Sequence, residues 1–124
     1  MSKILWIDDD GKDGIVDGHE IIAAKTCRAA DQVLRRARDQ LGGVVVDLIL
    51  PQDGWGERVY RTPGVEMVKH VREVAGAKLP IAVYAIALTD DRRAAVKAAG
   101  AGMAYGKFDV PLDHVLRQLK KSGA

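Results

Sequence analysis

The stretch Val44-Val45-Val46-Asp47-Leu48-Ile49-Leu50-Pro51 decides the fold. Three consecutive β-branched residues are apolar on both faces, as a central strand of a parallel sheet requires. A carboxylate is costly to bury, so Asp47 belongs where the strand reaches the carboxyl edge of its sheet. Pro51 cannot donate to a ladder and turns the chain away. One other junction of this kind stands near the start, where Lys3-Ile4-Leu5-Trp6-Ile7 runs into Asp8-Asp9-Asp10. If the two strands are neighbours, their acids converge at one end of the sheet.

The remaining segments alternate between strand-like and helix-like patterns. Asp8 to His19 is acidic, and Gly11, Gly14 and Gly18 within it argue against a stable helix. Glu20 to Ala24 reads as a second strand. Thr26 caps a helix over Arg28 to Gln40, with Ala30, Val33, Leu34, Ala37 and Leu41 at helical spacing. Gly42-Gly43 punctuate, and the organising strand follows. Gln52 to Thr62 is a long loop. Thr62-Pro63 opens a helix with Met67, Val68, Val71, Val74 and Ala75 as its core stripe. Ile81 to Leu88 is a further apolar run, and Thr89-Asp90-Asp91 starts a helix that reaches Ala99. Met103 to Gly106 is the final strand, Lys107 stands at its end, and a last helix carries Leu112, Val115, Leu116 and Leu119. The pattern predicts a flavodoxin-like, three-layer α/β fold: a doubly wound, five-stranded parallel sheet of order 2-1-3-4-5, with the first helix shortened or missing. That order sets the first and third strands side by side at the switch point, where ligands bind.

Size and composition narrow the possibilities. At 124 residues, 48% of them hydrophobic, the chain is expected to form one domain over residues 1–121, with 122–124 as a frayed tail. A net charge of +2 gives no footing for nucleic acid. The single cysteine, Cys27, excludes an internal disulfide and reads as a half-buried thiol at a helix start rather than a nucleophile. With no signal-like or membrane-spanning apolar run, the expected location is cytoplasmic. The histidines (His19, His70 and His114) lack metal spacing and read as surface residues.

Three acids crowded at a strand edge cannot all stay ionised without a compensating charge. Their hard oxygen ligands select Mg²⁺, which keeps waters and leaves room for a phosphoryl oxygen. Lys107 can supply a point charge to a second phosphoryl oxygen, and an aspartate carboxylate can be the nucleophile that forms an acyl phosphate. Each signal alone has an ordinary reading, since acid runs after strands are often solvated turns. Their order along the chain favours metal-assisted phosphoryl transfer onto Asp47.

Here the chain resembles the receiver domain of two-component response regulators, as an atypical stand-alone member. The resemblance runs through Ile4-Leu5-Trp6-Ile7-Asp8-Asp9, Val45 to Pro51, Pro80-Ile81-Ala82-Val83, Ala99-Gly100-Ala101 and Lys107. It implies that Asp47 is the phosphoacceptor, that Asp8, Asp9, Asp47 and the Ile49 main-chain carbonyl hold Mg²⁺, and that Lys107 contacts the phosphate. It also implies a sensor histidine kinase or phosphotransfer protein as donor and an unknown protein as output partner. No enzymatic activity is implied beyond self-phosphorylation and autodephosphorylation at Asp47.

The chain departs from the family pattern in four places. The first helix gives way to a short loop, so the face it would cover falls to the last helix and Ile15-Val16, with a homodimer or partner expected to fill the gap. The usual Ser or Thr at the end of the fourth strand falls on Ala85, with Thr89 as the alternative; Thr89 is read as a helix cap instead. The loop after Asp47 carries about ten extra residues, packed down by Trp55 and Tyr60 or lying over the site, and Gly64 falls at the loop glycine. Lys107 is followed by Phe108 rather than proline, and the usual switch aromatic is Ala104, next to Tyr105.

Two other readings compete. A non-switching pseudo-receiver, serving as adaptor or dimerisation module, accommodates Ala85 and Ala104. A haloacid-dehalogenase-like phosphatase shares the opening Ile7-Asp8-Asp9-Asp10-Gly11 and would make Asp8 the nucleophile, but Asp90-Asp91 precede Lys107, the reverse of that family's order.

Overall fold

The computed structural model describes residues 2–56 and 58–122. Its elements run β1 (Lys3–Ile7), β2 (Gly14–Val16), β3 (His19–Ala24), α1 (Cys27–Ala37), a 3-10 turn (Arg38–Gln40), β4 (Leu41–Val46), α2 (Pro63–Ala75), β5 (Ile81–Ala85), α3 (Asp90–Ala99), β6 (Met103–Gly106) and α4 (Leu112–Ser122). The sheet order is β2-β3-β1-β4-β5-β6. Apart from β2, the strands pair in parallel and in the expected 2-1-3-4-5 order. Helix α4 includes Ser122, which was expected in the tail, and 123–124 lie outside the described residues.

The extra strand is the main difference from the expected sheet. In place of a loop, the acidic Gly-rich connection forms a hairpin: β2 pairs antiparallel with β3, Val16 opposite His19. The two turn residues, Asp17 and Gly18, have φ of 50° and 78°, the positive values that a tight hairpin turn needs. Asp13 extends this edge, since its Oδ1 accepts from the Ala23 N–H at 2.7 Å. The glycines do exclude a helix here. The Asp-Gly pair was the signal for a hairpin.

Alternation along the strands separates two apolar layers. Leu5, Ile7, Val44, Val46, Ile81 and Val83 face α1, α2 and α3, with Leu34, Met67, Val68, Val71 and Val96 packed against them. On the opposite face Ile4, Ile21, Val45, Ala82 and Tyr84 meet Val115, Leu116 and Leu119 of α4. A single helix therefore serves one whole face. Val16 and Trp6 complete it, and Gly11 fills the corner: a Cβ there would stand 3.5 Å from Trp6 and 3.4 Å from Ala23. The bare patch expected from the missing helix is thus covered within the chain, although Ile15 stays 67% exposed.

Gly42 and Gly43 lie inside β4 instead of preceding it. The register slips between Lys3 and Ile4, leaving Gly42 as the bulged residue, and Gly43 sits tightly under Ile4 and Leu119. Leu41 belongs to this strand, so α1 ends three residues before the expected Gln40 and a 3-10 turn makes the exit. The α1 N-cap is as expected, with Thr26 Oγ1 accepting from Ala29 N at 3.0 Å. Cys27 is fully buried rather than half-buried, and burial pushes its thiol up to about 11.

Helices α1 and α2 are tied by a pair that the sequence did not suggest. His70 Nε2 lies 2.5 Å from Asp31 Oδ1, and Arg35 Nε donates to the same carboxylate. Trp55 meets the edge of the His70 ring at 5.4 Å and Tyr60 at 5.7 Å. Gln52 brackets Tyr60 by accepting from its N–H at 2.9 Å and donating to its carbonyl at 2.8 Å. The long loop is therefore packed down against α2 by its own aromatics. His19 also departs from the surface reading, being 6% exposed and bonded to Ser2 Oγ. His114 is half-buried at the edge of Tyr105.

Burial alone would raise the Asp31 carboxyl, but hydrogen bonds from Arg35 and His70 outweigh it and hold it below its ordinary value. A lowered folded-state value gives stability that is full above the unfolded pKa and is lost as pH falls through the folded one. Asp31→Asn is therefore expected to lower the urea midpoint at about pH 5 and to have much less effect at about pH 3. Equal losses at the two pH values would refute this role.

Candidate functional site

Register brings the acids together. Ile7 pairs with Ala24 on one side and Val46 on the other, so Asp8 and Asp47 are the next residues on adjacent strands. Each backbone is held by one more ladder bond, Asp8 N to Ala24 O at 3.0 Å and Asp47 N to Ile7 O at 2.9 Å. Asp8 is fully buried, whereas Asp9 and Asp10 are exposed.

Lys107 arrives from the end of β6. Its backbone N–H continues the β5 ladder by donating to Ala85 O at 2.9 Å. Its Nζ lies 2.6 Å from Asp8 Oδ2 and 3.3 Å from Asp47 Oδ2. The Asp8 contact is a close ion pair outside hydrogen-bond angles, so Oδ2 is buried without an aligned donor. The other oxygens are served locally: Asp10 N donates to Asp8 Oδ1 at 2.9 Å and Leu48 N to Asp47 Oδ1 at 2.7 Å. Burial and then the Asp8 charge raise the Asp47 carboxyl above its ordinary value, with Lys107 and the Leu48 N–H offsetting only part. For Lys107 burial works downward, but the two carboxylates prevail and its value is raised.

Among the described residues, the acids that form a compact group are Asp8, Asp9 and Asp10, with one carboxylate oxygen from each lying within 4.8 Å of the others. The sequence reading put Asp47 in that set and left Asp10 out. The difference arises because the turn closed by Gly11 N and Asp8 O, at 3.0 Å, curls Asp10 back towards Asp8, whereas Asp47 faces Asp8 across the Lys107 ammonium. An all-oxygen group with one buried carboxylate oxygen lacking an aligned donor fits a hard divalent cation.

No family model matches the chain, and no curated protein matches it significantly. Solved structures do. A response regulator from Thermotoga maritima aligns over 98% of this chain and 97% of its own, at 21% identity and a TM-score of 0.70. The Francisella response regulator 1452 receiver domain covers both chains completely, with 15% identity and a TM-score of 0.74. The Vibrio cholerae chemotaxis protein CheY4 covers 98% of each, with 22% identity and a TM-score of 0.69. The chain has the fold of a response regulator receiver domain.

Within this receiver fold the remaining positions take definite places. Ala85 ends β5, is buried to 1% and packs in the core beside Val83. Thr89 is outside the strand, and its Oγ1 accepts from Arg92 N at 3.3 Å as the α3 cap. Ala104 is buried on the α3 side, where the Arg93 guanidinium donates to its carbonyl at 2.6 Å. Tyr105 points to the other face, as strand alternation requires. Ile49 is 53% exposed, beyond Asp47, and Phe108 is 84% exposed. Of the two places considered for the long loop, it takes the side of α1 and α2, with Gly54 near Arg28 and Trp55 against His70.

Gly64 is required by close approach. A Cβ there would fall 2.2 Å from Asp47 O and 2.5 Å from Leu48 Cα, while its N–H donates to Leu48 O at 2.7 Å. The α2 N-terminus thus rests on the acid's own backbone. Gly64→Ala is expected to cost about 1–3 kcal/mol in urea unfolding, as overpacking does. Lys107→Met leaves Asp8 and Asp47 facing each other without a cation and is expected to lose about 3 kcal/mol in metal-free buffer. Unchanged midpoints for either variant would contradict these assignments.

Proposed function

We propose that this chain is a phospho-accepting receiver of a two-component phosphorelay, taking a phosphoryl group on Asp47 in a Mg²⁺-dependent reaction. The observation that carries the reading is the meeting of Asp8, Asp47 and Lys107 at the C-terminal edge of a receiver-fold sheet, with Nζ 2.6 and 3.3 Å from the two carboxylates. The donor is a histidine kinase or phosphotransfer protein, and output passes through protein contacts.

In the proposed chemistry an Asp47 carboxylate oxygen attacks phosphorus in line, the bond from phosphorus to the donor imidazole breaks, and the imidazole leaves with the electron pair. The Leu48 N–H fixes Asp47 Oδ1 and so limits rotation of the nucleophile. Lys107, within reach of both acids, offers its ammonium to the charge of the incoming group. Mg²⁺, held by Asp8, Asp9, Asp47 and the Ile49 carbonyl, with Asp10 beside them, would neutralise phosphoryl oxygens.

Asp8 is a poor nucleophile here because it is fully buried beneath the lysine, which weighs against the phosphatase reading. The adaptor reading keeps one specific support: Ala85 offers no hydroxyl at the strand end, and the Thr89 hydroxyl is engaged in the α3 cap. Acetyl phosphate with Mg²⁺ is expected to add one phosphoryl group to the parent protein and none to Asp47→Asn, read by intact mass. Borohydride trapping should map the acyl phosphate to Asp47. Equal labelling of the variant, or trapping at Asp8, would overturn the proposal; an unlabelled parent would favour the adaptor.

A further inference from the structure

Lys107 stands two strands away from Asp47, a separation of roughly 10 Å at ordinary strand spacing, so its backbone must be held close for Nζ to reach both acids. Its neighbours do little of this holding. Phe108 is 84% exposed, and Pro111 is exposed too. The connection from β6 to α4 closes on itself through Asp109 N to Gly106 O at 3.1 Å and Val110 N to Gly106 O at 3.4 Å. It is fastened to β5 at Lys107 N to Ala85 O, 2.9 Å, and also at Val110 O, which accepts from Tyr84 Oη at 2.7 Å.

We infer that Tyr84 is the positioning residue for Lys107: its hydroxyl pins the far end of the 107–111 connection and so fixes where the ammonium meets Asp8 and Asp47. Alternation of β5 explains why this side chain can do so. Tyr84 points to the α4 face, opposite Ala85 and Val83, and only there can it reach the chain entering α4. Its ring is 7% exposed among Val115, Leu116 and Val110, so the hydroxyl has little freedom to seek another partner. A phenol carries its proton at neutral pH, so the hydroxyl is a donor here, and burial moves its value further up against the opposing pull of Lys107. The two anchors on adjacent β5 residues make a clamp in which Ala85 holds by its carbonyl and Tyr84 by its side chain.

The catalytic consequence rests on the phosphoryl-acceptor reading, but the positioning itself can be read without it. Tyr84→Phe removes only the hydroxyl and keeps the packed ring. In reductive methylation with formaldehyde, Lys107 of the variant is expected to react faster than in the parent, while the other lysines keep their rates. With acetyl phosphate and Mg²⁺, the variant is expected to label about fivefold more slowly, the effect of one lost neutral hydrogen bond. In a Lys107→Met background the same substitution should cost nothing further. Parent-like methylation of Lys107 in Tyr84→Phe would overturn the inference, as would an equal slowing with and without Lys107. An unlabelled parent whose Lys107 is still unmasked by Tyr84→Phe would remove the phosphoryl-acceptor reading and leave the positioning intact.

Discussion

Two carboxylates at the ends of adjacent parallel strands repel each other, and this sheet edge is organised around the cation that reconciles them. Lys107 contacts both Asp8 and Asp47, its pair with Asp47 reaching from β6 to the end of β4 and its pair with Asp8 reaching on to the end of β1. Strand pairing fixes the acids, since each is the first residue past a register match. The lysine needs more, because a long side chain ending in a point charge is accurate only if its backbone is. Ladder bonds, the Gly64 contact beneath Asp47 and the Tyr84 tether all bear on that one arrangement.

The two faces of the sheet are unequal, and the inequality is settled locally. Among the described residues, one side carries three α-helices and the other only α4. A helix between β1 and β3 would have shared that second side. In its place the chain turns through Gly11, lays a short antiparallel strand on the edge and uses Val16 with the Gly11 turn to close the corner. This substitution leaves the acid-bearing turn free to curl, which is why Asp10 lies with Asp8 and Asp9.

The end of β5 presents Ala85, which offers no hydroxyl and is sealed into the core. Thr89 cannot serve both places, because its hydroxyl ends the α3 backbone and lies beyond the strand. On the α3 side, the Arg93 guanidinium donates to the Ala104 carbonyl, giving that face a fixed polar contact. The acid edge around Asp8, Asp47 and Lys107 and the α3-facing side of β6 are therefore held by separate sets of contacts.

The sequence by itself determined five of the six strands, their order and the two acid junctions. Those features follow from local pattern: β-branched runs apolar on both faces, a carboxylate at the end of each, and Lys107 closing the last strand. It also determined the caps at Thr26 and Thr89, because N-capping is a contact within one turn. The Asp17-Gly18 pair also carried a hairpin signal, through the positive φ that such a pair tolerates, although the stretch was read as a loop. Only the tertiary structure decided that Asp10 groups with Asp8, that Asp31 meets His70, that Gly43 lies inside a strand and that Tyr84 reaches Val110. Apart from the Asp8–Asp10 turn, each of these depends on the distance and direction between elements far apart in the chain, and periodicity within one element carries no information about either.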